Sequence, residues 1–173
     1  MPELTLGPSL AANEPASVGS LCSEQEKGGI VSTDNIDVVR RLEEAYNTQD
    51  LDVLDELIAD DFVAHTPGSD QIPPGREGIK AAHQMSMGAF PDRQVEIEDI
   101  FSEGDLVVVR QRMTGTNKGG LPWFGLAAND KAIDTEDIQI LRVQEGKVHE
   151  SWAQMNLPKM MMQLGAMPGP GGN

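Results

Sequence analysis

Three observations predict an α+β domain in which helices pack over one face of a curved antiparallel sheet. Helical periodicity fills the first half of the patterned region, period-two alternation fills the second, and the second half closes on a tight hairpin. The hairpin is residues 133–156, IDTEDIQILRVQEGKVHESWAQMN, with Gln144-Glu145-Gly146-Lys147 as its turn. Gly146 is free there to take the positive φ that a side chain resists. On the first strand Ile133, Thr135, Asp137, Gln139 and Leu141 share one face, and Asp134, Glu136, Ile138, Ile140 and Arg142 the other. On the second, His149, Ser151, Ala153 and Met155 lie opposite Val148, Glu150, Trp152 and Gln154. A face that sets Asp137 and Gln139 beside Leu141 predicts a sheet that lines a cavity.

The remaining elements follow in order. Residues 1–31 mix Pro, Gly, Ser, Ala and Glu without periodicity and read as a disordered or loosely docked extension. Residues 32–165 form the domain, and 166–173 a flexible Gly/Pro tail. A helix starts near Ser32-Thr33-Asp34-Asn35, with Thr33 or Asp34 as N-cap. Val38, Val39, Leu42, Ala45 and Tyr46 recur on its inner side, and Arg40, Arg41, Glu43 and Glu44 are assigned to the outer one. The pattern predicts a second helix over 51–59 and an extended piece over 61–65. A loop over 66–75 follows, with three prolines and two glycines. The third helix, 76–90, carries Ile79, Ala82, His83, Ser86, Met87 and Phe90 on one stripe, which turns His83 inward. Strands are expected from Gln94 and over 106–116, joined by Glu103-Gly104-Asp105. A Gly-rich loop, 117–131, contains Pro122-Trp123-Phe124, and 157–164 forms a short Met-rich helix.

Composition narrows the function. With 28 acidic against 13 basic residues the formal charge is −15, which repels phosphate backbones and anionic bilayers and so excludes nucleic acid and membrane surfaces as expected partners. A lone cysteine, Cys22, rules out an internal disulfide and a thiolate zinc site and fits a reducing cytoplasm. The first 25 residues have neither the basic start nor the apolar run of a signal peptide, and no stretch approaches about 18 apolar residues in a row. The three histidines, His65, His83 and His149, lack the short spacing of a metal site.

The segments AYNTQDLDVLDELIADDFVAH, PGREGIKAAHQ, AFPDRQVEIEDIFSEGDLVVVRQRMTGTNKG and DIQILRVQEGKVHESW, followed by QLG, resemble the SnoaL-like polyketide (ester) cyclases of the NTF2-like superfamily, over about residues 35–165. The resemblance implies a cone-shaped α+β barrel, with three N-terminal helices on a curved mixed or antiparallel sheet around a deep hydrophobic pocket. It implies a homodimer or higher homo-oligomer, and no metal or organic cofactor. In that family an aspartate on the last strand and a histidine on the strand before close a ring by aldol chemistry. By resemblance these positions fall on Ala153 and Gln139, neither of which can exchange a proton near neutrality.

Acid/base chemistry then needs another group with a pKa near 7 in a dry cavity. His83 and His65 are the catalytic candidates, and Asp137 is a reserve base. Gln139, Asn117 and Tyr46 are candidates to orient a carbonyl or hydroxyl. Trp123 and Trp152 offer flat area to an aromatic ligand, and Met155, with Met160, Met161, Met162, Met85 and Met87, an adaptable wall. Arg110 and Arg112 alternate with Val109, Gln111 and Met113, which assigns both arginines to the outer face. The expected function is a cofactor-independent enzyme acting on a hydrophobic, aromatic or polyketide-like molecule by cyclase, isomerase, lyase or hydrolase chemistry. The competing expectation is a non-catalytic small-molecule binder.

Overall fold

Four helices pack on a five-stranded mixed sheet in the computed structural model, which describes residues 33–66 and 69–169. The N-terminal extension and Cys22 lie outside the described residues. Helix α1 spans Thr33–Thr48, a single turn α2 spans Leu54–Leu57, and β1 runs Ile58–Ala64. Then come α3 (Gly75–Ala89), β2 (Gln94–Glu103), β3 (Leu106–Thr116), β4 (Ala132–Gln144), β5 (Lys147–Met155) and α4 (Leu157–Leu164). The sheet order is β1-β5-β4-β3-β2, antiparallel throughout except that β1 runs parallel to β5. The extended piece expected between the second and third helices is β1, which joins the sheet as an edge strand beside β5.

The second helix is shorter than its periodicity predicts. A 3-10 turn at Leu51–Val53 leads into α2, and Ile58 and Ala59, expected to be helical, open β1 instead. Both are buried, and Ile58 pairs with Val148, so sheet pairing overrides local helical spacing. The β4–β5 turn holds Glu145 and Gly146 both at positive φ, the twist that joins antiparallel strands directly. A register shift between Arg142 and Val143 lets Val143 and Val148 face each other in the core. The strict alternation that placed Val148 on the outer side fails at this irregularity, and His149 lies half-exposed beside Asp61, 3.8 Å away.

Apolar burial divides into two cores. One gathers Val39, Leu42, Ala45 and Tyr46 of α1 with Leu54, Leu57, Phe62, Val107, Val109, Leu141 and Val143. The other gathers Ala89, Phe90, Leu121, Ile133, Met160, Met161 and Leu164. The inner face of β4 runs from Ile133 in one core to Leu141 in the other, with Thr135, Asp137 and Gln139 between them.

Candidate active site

The polar stretch between the two cores is where the site is built. On β3 the inward sequence is Val107, Val109, Gln111, Met113, and on β4 it is Ile133, Thr135, Asp137, Gln139, Leu141. Gln111 and Asp137 are cross-strand partners, as are Gln139 and Ala153 on β5. Asp137 Oδ2 accepts from Gln139 Nε2 at 3.2 Å and from Gln111 Nε2 at 3.4 Å. Both amides are held by paired strands, so the carboxylate is fixed by the sheet rather than by a loop.

The helix layer supplies the opposite wall. Tyr46 of α1 and His83 of α3 stack with ring centroids 3.5 Å apart and planes 19° from parallel. Arg93, buried at the entry to β2, places its guanidinium 5.7 Å from the Tyr46 ring centroid and donates from Nη1 to Ser86 Oγ at 3.0 Å. Glu43, one turn before Tyr46 on α1, is only 3% exposed. Five enclosed polar atoms here have no hydrogen-bond partner: Glu43 Oε1, His83 Nδ1, Arg93 Nε, Gln111 Oε1 and Asp137 Oδ1. Native interiors satisfy almost all such atoms, and these five belong to one cluster between the helices and the sheet.

Burial sets the protonation of the cluster. Desolvation pushes Glu43 up to about 7, against the lowering pull of Arg93 and with a further push from Asp137. Desolvation also raises Asp137, opposed by its hydrogen bonds from Gln139 and Gln111 and by Arg93. His83 is pushed down to about 3 by burial and then by the Arg93 charge, so it is a neutral imidazole at pH 7. Tyr46 stays a neutral phenol, its pKa raised by burial and by Glu43. Desolvation lowers Arg93 within a range where it remains a cation.

The candidates from the sequence separate into those that meet and those that do not. Asp137, Gln139, Tyr46 and His83 belong to this cluster. Met155 pairs with Asp137 and, with Met113, Thr135, Asn156, Leu157 and Met160, lines a cavity of about 20 Å³ against the carboxylate, room for about one water and not the deep hydrophobic pocket that the resemblance implies. His65 and Trp152 instead stack on each other on the outer face of the sheet, with centroids 4.9 Å apart. Asn117 is fully buried in a loop-pinning role: Nδ2 donates to Ala127 O and Asn129 Oδ1, and Oδ1 accepts from Gly120 N. The side chain of Trp123 lies outside the described residues. A surface groove of about 330 Å³ lies elsewhere, between the end of β1 and the start of α3.

Sequence reasoning missed Glu43, which it assigned to the outer side of α1, and Arg93. Glu43 lies four residues after Val39 and three before Tyr46, both buried, so helical spacing alone marks its position. Arg110 and Arg112 do face outward, as alternation predicts, pairing with Glu98, Asp99 and Asp134. Among the described residues no group of three or more His, Cys, Asp or Glu side chains is arranged to hold a metal ion, and no helix is long and apolar enough to cross a membrane.

A five-stranded mixed sheet covered by helices is consistent with the NTF2-like fold. Residues 36–164 match the SnoaL-like polyketide cyclase family, and the chain belongs to it. Among solved structures it is similar to IdmH, a candidate polyketide cyclase from Streptomyces antibioticus, at 33% identity and a TM-score of 0.66, over 76% of this chain and 98% of that one. A candidate polyketide cyclase from Bacillus cereus is 30% identical with a TM-score of 0.66, covering 78% and 83%. A candidate SnoaL-like cyclase from a Jannaschia species is 28% identical with a TM-score of 0.71, covering 80% and 96%. No curated protein matches.

Proposed function

We propose that this chain is a cofactor-independent acid/base enzyme acting on a hydrophobic, aromatic or polyketide-like small molecule, by ring closure or by a related isomerase, lyase or hydrolase step. One observation carries the reading. Asp137 is held by two amides at a cavity wall, with one carboxylate oxygen unpartnered and its proton affinity raised by burial. A carboxylate so placed is a stronger base than one in water, and it needs no metal to act on an acidic C–H or O–H. In this proposal Asp137 removes the proton, and Gln139 and Gln111 orient it. The neutral His83 and Tyr46 supply hydrogen bonds to the ligand. His65, on the far side of the sheet, has no part in the step.

The alternative reading is a binder that carries or sequesters its ligand. It is favoured by the pairing of Gln139 with Ala153, which sets two non-ionisable side chains where the family has an imidazole and an acid. The two readings separate on Asp137→Asn, which keeps the shape and removes the base. Incubated with a panel of aromatic polyketide-like ketones and followed by mass spectrometry, the variant should bind as the parent does and lose about 100-fold in turnover. Ligands that bind both proteins and are turned over by neither leave the binder as the reading.

We also infer that the working form is a homodimer joined through the outer face of the sheet. Phe101, Val108, Ile140 and Trp152 are successive cross-strand partners there and form one apolar row. Five strands about 4.8 Å apart, rising about 3.3 Å per residue over about ten residues, present roughly 800 Å², one partner's share of a standard interface.

A further inference from the structure

We propose that Glu43 is a second acid/base residue of this site, a carboxyl delivered by helix α1 that works as a pair with Asp137 around the guanidinium of Arg93. The inference rests on the acid/base reading above and adds to it a proton donor, which Asp137 alone lacks. The geometry is specific. Glu43 follows the stripe of Val39 and precedes that of Tyr46, so its side chain is directed at the sheet, and it is among the few charged side chains of the described residues that are buried. An isolated carboxylate in such surroundings is strongly disfavoured and persists only when neutral or matched by a cation. Arg93 supplies a cation in the same buried cluster, its guanidinium 5.7 Å from the ring of Tyr46 one turn along α1, and its charge opposes the rise in both Glu43 and Asp137. Two acids around one arginine are most stable holding a single proton between them.

That arrangement completes a reaction step. Asp137 carboxylate takes a proton from the carbon beside a ligand carbonyl, and the electron pair of the broken C–H bond moves through the new C=C bond onto the carbonyl oxygen. The protonated carboxyl of Glu43 gives its O–H proton to that oxygen. The ligand leaves as the enol, Asp137 ends neutral and Glu43 ends ionised, so the two acids hold one proton before and after, and the charge of the site is unchanged. Reversal, or attack of the enol carbon on a second carbonyl, resets the pair. Because the pair already holds one negative charge, the ligand it suits is a neutral ketone or 1,3-dicarbonyl rather than a carboxylate or phosphate. The charged groups that act on Glu43 are Arg93 from the β2 entry and Asp137 from β4, and Tyr46, one turn along its own helix, carries His83 of α3 stacked on its ring.

The test uses the full chain with acetylacetone, a small neutral 1,3-dicarbonyl, and follows replacement of its central C–H by deuterium in heavy water by proton NMR. The parent protein should accelerate exchange over matched buffer, with a rate that falls as pH rises through about 7 and Glu43 loses its proton. Glu43→Gln keeps the shape but cannot donate in the same way, and should lose about 100-fold together with that alkaline limb. Asp137→Asn should lose activity at all pH values. A Glu43→Gln protein that keeps both rate and limb, while Asp137→Asn is inactive, overturns this inference and leaves the acid/base reading standing. No acceleration by the parent, or none lost in either variant, overturns both. Should Glu43→Gln fail to fold, carbon-13 carboxyl titration of the parent and of Asp137→Asn decides. A Glu43 midpoint near 7 that drops in Asp137→Asn supports the pair, and one near 4.5 that ignores Asp137 overturns it.

Discussion

The inner and outer faces of the same three strands, β3, β4 and β5, carry side chains that do not suit their surroundings. Inside, between two apolar cores, stand Gln111, Thr135, Asp137 and Gln139. Outside, facing solvent, stand Ile138 and Ile140 at 50% and 37% exposure, joined by Phe101 on β2 at 59%. A sheet selected for stability alone would exchange the two sets, since each buried polar group needs a partner and each exposed apolar one loses the stabilisation of burial. The comparison teaches that each face is unfinished in a different sense. The inner face holds polar atoms without partners, and the outer face holds apolar side chains in solvent.

The sharpest break between the faces is in their response to pH, because ionisable groups are enclosed only on the inner one. Glu43 in the fold titrates at about 7 rather than 4.5, so between those values the folded chain binds more protons than the unfolded one. Stability contributed by this group therefore falls as pH rises from 4.5 to 7 and levels off above. His83 acts in the opposite sense: its pKa drops from 6.5 to about 3, and stability is lost as pH falls through that window. For Glu43 the full effect is about 3 kcal/mol. Between pH 5 and pH 8 the two effects nearly cancel in the parent, so its urea unfolding should change little, whereas Glu43→Gln, left with the His83 effect alone, should gain about 2 kcal/mol from pH 5 to pH 8. An unchanged difference between the two pH values in the variant would mean that Glu43 is not enclosed.

Legibility followed the same division. Alternation gives the two faces of β4, because a strand between a buried and an exposed side shows period two directly, and it sets Asp137 and Gln139 on the side of Ile133 and Leu141. On α1 the apolar stripe predicts the burial of Val39, Leu42 and Tyr46, but Glu43 is buried with them although its charge predicts solvent. Charge and spacing disagreed there, and spacing described the structure. Ile58 and Ala59 were misread because an apolar run that starts at a helix end fits either period until a partner strand is known. Arg93 sits in the turn that ends α3, where no periodicity exists to assign a side, so its place beside Tyr46 depends on tertiary packing alone. Strand parity sets Trp152 opposite Ala153's face, and His65, at the end of the extended piece, stacks on it there.

The outer face can be broken without touching the inner one. Ile140 lies in the middle of the row, between Val108 and Trp152, and points away from Gln139 and Leu141. Ile140→Asp sets a charge at the centre of the inferred interface, where truncation at well-packed positions typically costs about 2 kcal/mol, or roughly 30-fold in dissociation constant. Light scattering at micromolar concentration should find the parent as a dimer and the variant shifted to monomer. A parent that is monomeric at all concentrations removes the dimer, and the exposed row then belongs to some other partner.

The smallest expected effect separates two histidines that sequence treats alike. His83 is enclosed against Tyr46 with Nδ1 unpartnered, whereas His65 is exposed, stacks on Trp152 and lies 4.0 Å from Glu150. Trp152 is also covered by the Arg142 guanidinium at 5.7 Å, and Arg142 is held by Asp105 and Glu150, so the stack survives without its imidazole. His65→Ala should therefore leave both turnover and stability within about 0.5 kcal/mol, roughly a factor of two, as for most exposed substitutions. His83→Ala opens a gap against the Tyr46 ring and removes a polar atom from the site. Measured on the same ligand, it should reduce turnover well beyond that margin. Equal and large losses from both would mean that the two faces of the sheet communicate, since no ligand can touch Trp152 and Asp137 from one side.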